Sequence, residues 1–95
     1  MVRFGAGNTY DSLSGAVANH VRYAMESLPS QPGIGVVGSI ITGTHSGSSI
    51  VGMIGENIIE FDIVFPDGTF KTINEKNTPN FKHYIMNFGG LGVIT

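Results

Sequence analysis

Glycine is where this sequence constrains itself most. Of its 14 glycines, most fall in two stretches, Gly33 to Gly55 and Gly89 to Gly92. Glycine concentrated in this way marks tight backbone geometry or the close approach of another group, because it lacks the β-carbon that would forbid either. The first stretch runs Gly35-Val36-Val37-Gly38-Ser39-Ile40-Ile41-Thr42-Gly43-Thr44-His45 and continues through small and hydroxylated residues to Gly55. It has no strict period and predicts an ordered loop with a helical turn near Val36 to Ile41.

Regular patterning flanks that loop. Val2-Arg3-Phe4 predicts a short strand running into a turn at Gly5-Ala6-Gly7, with Asn8 or Thr9 capping a helix. Leu13, Ala16, Val17, Val21, Ala24, Met25 and Leu28 recur at helical spacing, and Pro29 closes the run. Beyond the loop, Ile59, Phe61, Ile63 and Phe65 alternate with other residues up to a Pro66-Asp67-Gly68 turn. Thr69 to Ile73 then returns as the second arm of a β-hairpin. Thr78-Pro79 predicts a helix start, Phe81, Tyr84, Ile85 and Phe88 its apolar face, and Gly89-Gly90 its end. Leu91 to Thr95 begins a strand. The expected fold is α+β in the order β-α-loop-β-β-α-β, a mainly antiparallel sheet with helices on one face.

Composition narrows the functional classes. Five Lys and Arg residues, scattered singly in a chain of net charge -2, form no basic stripe for nucleic acid. Absent cysteine removes disulfides and thiolate catalysis, and the three histidines are far apart, so no metal site is expected. Neither a signal peptide nor an apolar run of about 20 residues addresses the chain to a membrane, and its compartment is left open.

Three motifs invite chemical readings. Gly5-Ala6-Gly7-Asn8-Thr9-Tyr10 starts like a dinucleotide fingerprint, but Tyr10 stands where the third glycine belongs. A tight turn with its glycines at positive φ explains it without a ligand. Gly38 to Thr44 imitates P-loop spacing, yet His45-Ser46 follows and no lysine is available for terminal phosphates. What remains is a loop of N–H groups and small hydroxyls that could accept a pyrophosphate. Spacing alone leaves that reading level with a tolerant surface loop. The serines form no G-x-S-x-G elbow, and no catalytic residue is assigned.

Taken in order, Gly5-Ala6-Gly7, Val36 to His45 ending in Thr42-Gly43-Thr44-His45, Pro66-Asp67-Gly68 and Gly90-Leu91-Gly92-Val93-Ile94-Thr95 resemble the vanillyl-alcohol-oxidase-type FAD-binding proteins. Within them the chain is similar to the alditol oxidase and gulonolactone oxidase group. The resemblance implies FAD as cofactor, with Gly35, Gly38, Thr42, Gly43, Thr44, His45 and Ile94 against it. It also implies that Ser30 lines a pocket for a small polyol or lactone substrate. It implies further that residues 1–95 are the second half of an FAD-binding domain, the flavin-linking segment and substrate domain being absent. The intact parent would oxidise a CH–OH group with dioxygen as acceptor. Two other readings stand beside it: a non-catalytic nucleotide- or anion-binding module, and an inactive remnant.

Overall fold

The computed structural model describes residues 1–95, the side chain of Val21 excepted. Helix α1 spans Tyr10–Val21, helix α2 Val36–Ile41 and helix α3 Phe81–Ile85, with a 3-10 turn at Ile54–Asn57. Strands β1 (Glu60–Val64), β2 (Phe70–Asn74) and β3 (Val93–Ile94) form a wholly antiparallel sheet in the order β2-β1-β3. The α+β class with an antiparallel sheet is therefore as the sequence indicates.

The hairpin shows why its sequence works. The Phe65 N–H donates to the Thr69 carbonyl and the Gly68 N–H to the Phe65 carbonyl, both at 2.9 Å. This closure needs a left-handed third loop residue, and Gly68 supplies it at φ 82°. The Asp67 carboxylate accepts from the Thr69 N–H at 2.8 Å. Hydrogen bonding from Thr69 holds the Asp67 carboxyl below the usual carboxylate range.

Alternation sorts the sheet into two faces. Phe61, Ile63 and Ile73 share one face, with Ile63 and Ile73 buried. There they join Tyr10, Leu13 and Val17 of α1, Val36 and Ile40 of α2, Ile54, and Phe81 and Ile85 of α3 in one core. The other face is polar at one end, where Thr72 donates to Asp62 at 2.6 Å and Asn74 to Glu60 at 2.9 Å. Arg3 also pairs with Asp62 there.

Each sheet edge is treated differently. On β2 the Asn77 carboxamide accepts from the Asn74 N–H and donates to the Thr72 carbonyl, both at 3.0 Å. One side chain thus occupies the hydrogen-bonding places that a neighbouring strand would take. On β3, Ile94 faces Ile63 while the Thr95 N–H donates to the Asp62 carbonyl at 3.0 Å. Ile94 is thereby in a pair not bonded to each other, and its own N–H and C=O point out of the sheet.

Four expectations are corrected. Val2 to Phe4 forms no strand, although the Asn8 N–H closes the turn onto the Gly5 carbonyl at 3.2 Å. Gly5 and Gly7 do not adopt positive φ, so the turn does not require glycine for its conformation. Helix α1 ends at Val21 because Arg22 adopts a left-handed conformation at φ 55°, leaving Ala24 and Leu28 exposed. Helix α3 starts at Phe81 rather than at Pro79, since Asn80 adopts a left-handed conformation at φ 60°, while the Asn77 and Thr78 N–H groups turn back to the Asn74 carbonyl. It also stops before Gly89-Gly90, leaving Phe88 70% exposed.

Candidate functional site

The position of α2 follows from the turn that precedes α1. An isolated bridge joins Thr9 to Gly35: the Tyr10 N–H donates to the Ile34 carbonyl at 3.2 Å, and the Val36 N–H to the Asn8 carbonyl at 2.9 Å. Thr9 caps α1, its hydroxyl accepting from the Ser12 N–H at 3.3 Å. Tyr10, where a dinucleotide fingerprint would carry glycine, is fully buried. Its hydroxyl lies 2.5 Å from Ser39 Oγ, and Ser39 Oγ donates to the Val36 carbonyl at 2.8 Å. Ser39 spends its proton on the carbonyl, so Tyr10 is the donor in the first bond. Burial raises the Tyr10 pKa, with the Ser39 hydrogen bond opposing that rise. The relay fastens α1 to α2 inside the core.

Gly35, Gly38, Thr42, Gly43, Thr44 and His45 therefore lie along one short stretch, from the residue capping α2 through the loop after it. A β-carbon at Gly35 or Gly38 would meet nothing within 4 Å. Internal packing does not require glycine at either place, and the outer surface of α2 is left open to a flat or bulky group.

The loop itself is more self-contained than the sequence suggested. The Gly43 N–H donates to the Ile40 carbonyl at 3.1 Å, and the Thr44 N–H to the Ser39 carbonyl at 2.9 Å. Thr42 Oγ1 donates back to the Gly38 carbonyl at 3.0 Å. These groups satisfy the carbonyls at the end of α2. Gly43 is held at φ 73°, a conformation that L side chains rarely adopt. His45 is exposed and bridges Met53 through the backbone, with its Nδ1 2.9 Å from the Ser46 carbonyl. Thr42 Oγ1 and His45 Nδ1 are thus engaged within the loop itself.

Ile94 is packed against the core and lines the same open cleft as Val36, Val37 and Ile40. Ser30 is not gathered in the same way. It lies exposed in the loop before Pro32, a segment tied to α1 by the Asp11 N–H on the Pro32 carbonyl at 2.8 Å and the Tyr10 N–H on the Ile34 carbonyl at 3.2 Å. Among the described residues no cluster of three or more His, Asp or Glu side chains could hold a metal. No helix among them is long and apolar enough to cross a membrane.

The cleft beside α2 was not legible as a site in the sequence. It measures about 670 Å³ and is lined mainly by apolar side chains of α1, α2, β1 and the segments 1–6 and 23–27. The Ser27 hydroxyl is buried at its wall without a hydrogen-bond partner.

Comparison with known proteins gives the class of domain. Residues 1–74 match the FAD binding domain family. The chain is 33% identical over 94 residues to the alditol oxidase of a Streptomyces species, covering 99% of the chain and 22% of that protein. It is 32% identical over 72 residues to the D-arabinono-1,4-lactone oxidase of Yarrowia lipolytica, covering 75% of the chain and 14% of that protein. This chain belongs to the FAD binding domain family, and its cofactor is FAD. It spans about a fifth or less of the length of these relatives.

Proposed function

We propose that the chain contributes the pyrophosphate- and flavin-facing part of an FAD-dependent oxidase that acts on a CH–OH group of a sugar alcohol or aldonolactone. The observation that carries this reading is the open surface over Gly35 and Gly38, continuous with the Thr42 to His45 loop. Small residues there let a phosphate or ring approach the backbone closely. Thr44 Oγ1 and His45 Nε2 would supply polar contacts beside it. The outward N–H and C=O of Ile94 would supply a second set.

When bound, FAD would supply the hydride acceptor, with dioxygen as the proposed final acceptor; positioning and water exclusion would fall to the protein. Ser30 would face the polyol or lactone from its exposed loop. Residues 1–95 supply no acid–base pair of their own, so the isolated chain is expected to lack oxidase activity. That expectation rests on the incomplete geometry for bringing substrate and flavin together.

The test uses the intact parent protein supplied with FAD, assayed for hydrogen peroxide on an alditol and on an aldonolactone. Peroxide with one class and not the other assigns the substrate. Retention of FAD with peroxide from neither class rejects the substrate reading. Equal retention of ADP and FAD, with no flavin-specific binding, favours a nucleotide-binding module instead.

A further inference from the structure

Met86 follows α3 and reaches back onto the candidate cofactor loop. A β-carbon placed at Gly43 would lie 3.3 Å from both Sδ and Cε of Met86, so the thioether lies flush against the face of Gly43. The segment is fastened there independently, since the Phe88 N–H donates to the Ile41 carbonyl at 3.2 Å. Asn87 stiffens it by donating to the Tyr84 carbonyl at 2.6 Å and accepting from the Gly89 N–H at 2.7 Å. Met86 nevertheless remains 41% exposed. Met25 and Met53 are more buried, and Met1 is fully exposed but far along the chain from this loop.

We propose that Met86 is an oxidation site through which hydrogen peroxide loosens the Thr42 to His45 loop. Peroxide transfers one oxygen atom to the Met86 thioether: the O–O bond breaks, an S=O bond forms, sulfur loses two electrons, and water leaves. The product is a polar, chiral sulfoxide where an apolar, flexible sulfur had packed. Gly43 is the residue least able to adjust, because its φ of 73° and its N–H bond to the Ile40 carbonyl fix it from the other side. Oxygen on the Met86 sulfur therefore displaces either the thioether or Gly43. The coupling stands on this contact alone; its bearing on flavin retention rests on the function proposed above, in which peroxide is the enzyme's own product.

The 95-residue chain is treated with graded hydrogen peroxide. Sulfoxide at each methionine is then quantified by peptide mass spectrometry, and amide exchange is followed at Gly43 and Thr44. Met86 is expected to oxidise ahead of Met25 and Met53. Exchange at Gly43 and Thr44 should rise roughly five-fold once Met86 is oxidised, as follows from losing a small fraction of local stability. Exchange at Ile63 in the core strand should hold steady. Met86→Leu keeps an apolar side chain against Gly43 and cannot be oxidised, so peroxide should leave its loop exchange unchanged even as Met1 oxidises. Methionine sulfoxide reductase should restore the untreated rates. Oxidation of Met86 no faster than of Met25 and Met53 would overturn the proposal. So would unchanged exchange at Gly43 and Thr44 in chains carrying the Met86 sulfoxide, or an equal response in Met86→Leu. Because exchange needs no flavin, these outcomes are independent of whether the cofactor reading holds.

Discussion

Gly55 sits where the 3-10 turn, α2 and α3 meet, and it is buried. A β-carbon there would lie 2.6 Å from Ile85 Cγ2 and 3.3 Å from Ile40 Cγ2. Carbon atoms pack at about 3.5–4.0 Å, so the Ile85 methyl must retreat by about 1 Å in Gly55→Ala. Overpacking of this kind costs about 1–3 kcal/mol, against a gain of less than 1 kcal/mol from burying one methyl group. A net loss of about 1–2 kcal/mol lowers the melting temperature of a domain this size by about 4–8 °C per kcal/mol. Thermal unfolding followed by circular dichroism measures it directly. The reasoning also fixes a coupling. Ile85→Ala alone opens a cavity costing about 2–5 kcal/mol, but in Gly55→Ala the added methyl group partly fills that space. The double variant should therefore be more stable than the sum of the singles by about 1 kcal/mol or more. A melting temperature unchanged by Gly55→Ala, or strictly additive losses in the double variant, would refute this packing.

Three further outcomes follow from individual contacts. Asn77→Ala removes both hydrogen bonds that close the β2 edge, so it should cost about 1–2 kcal/mol and bring concentration-dependent self-association in analytical ultracentrifugation. Ser27→Ala relieves a buried hydroxyl without a partner and should be neutral or stabilising by up to about 1 kcal/mol in urea denaturation. Tyr10 holds its proton more tightly folded than unfolded, so its contribution to stability is complete below pH of about 10, the ordinary phenol value, and is lost as pH rises through the raised folded pKa. Stability measured against pH should show that alkaline loss in the native chain and a smaller one in Tyr10→Phe.

Local chemistry made some of this architecture readable. Pro66-Asp67-Gly68 between two strand-like runs marks a turn, and the short helix at Val36 to Ile41 fell where its aliphatic residues clustered. Other features depend on partners distant in sequence. Tyr10 reads as a defect in a dinucleotide motif until Ser39, 29 positions later, is found accepting its hydroxyl. The end of α1 was hidden because Arg22 carries no signal for the left-handed conformation, unlike a glycine would. Similarly, Thr78-Pro79 is a sound helix start by itself, but Asn80 adopts a left-handed conformation at φ 60° that no glycine announces. Gly43 was expected to be glycine for the sake of a phosphate. Its backbone conformation favours glycine already, so Gly35 and Gly38 are the better markers of a ligand surface.

Titration of the isotope-labelled chain with FAD, followed through its backbone amide resonances, puts the cofactor surface to the most direct test. Shifts at Gly35, Gly38, Thr42 to His45 and Ile94, larger for FAD than for ADP or pyrophosphate, are the expected result. Shifts confined to other surfaces, or none at saturating FAD, would contradict the assignment of α2 and its following loop as the place where the flavin nucleotide binds.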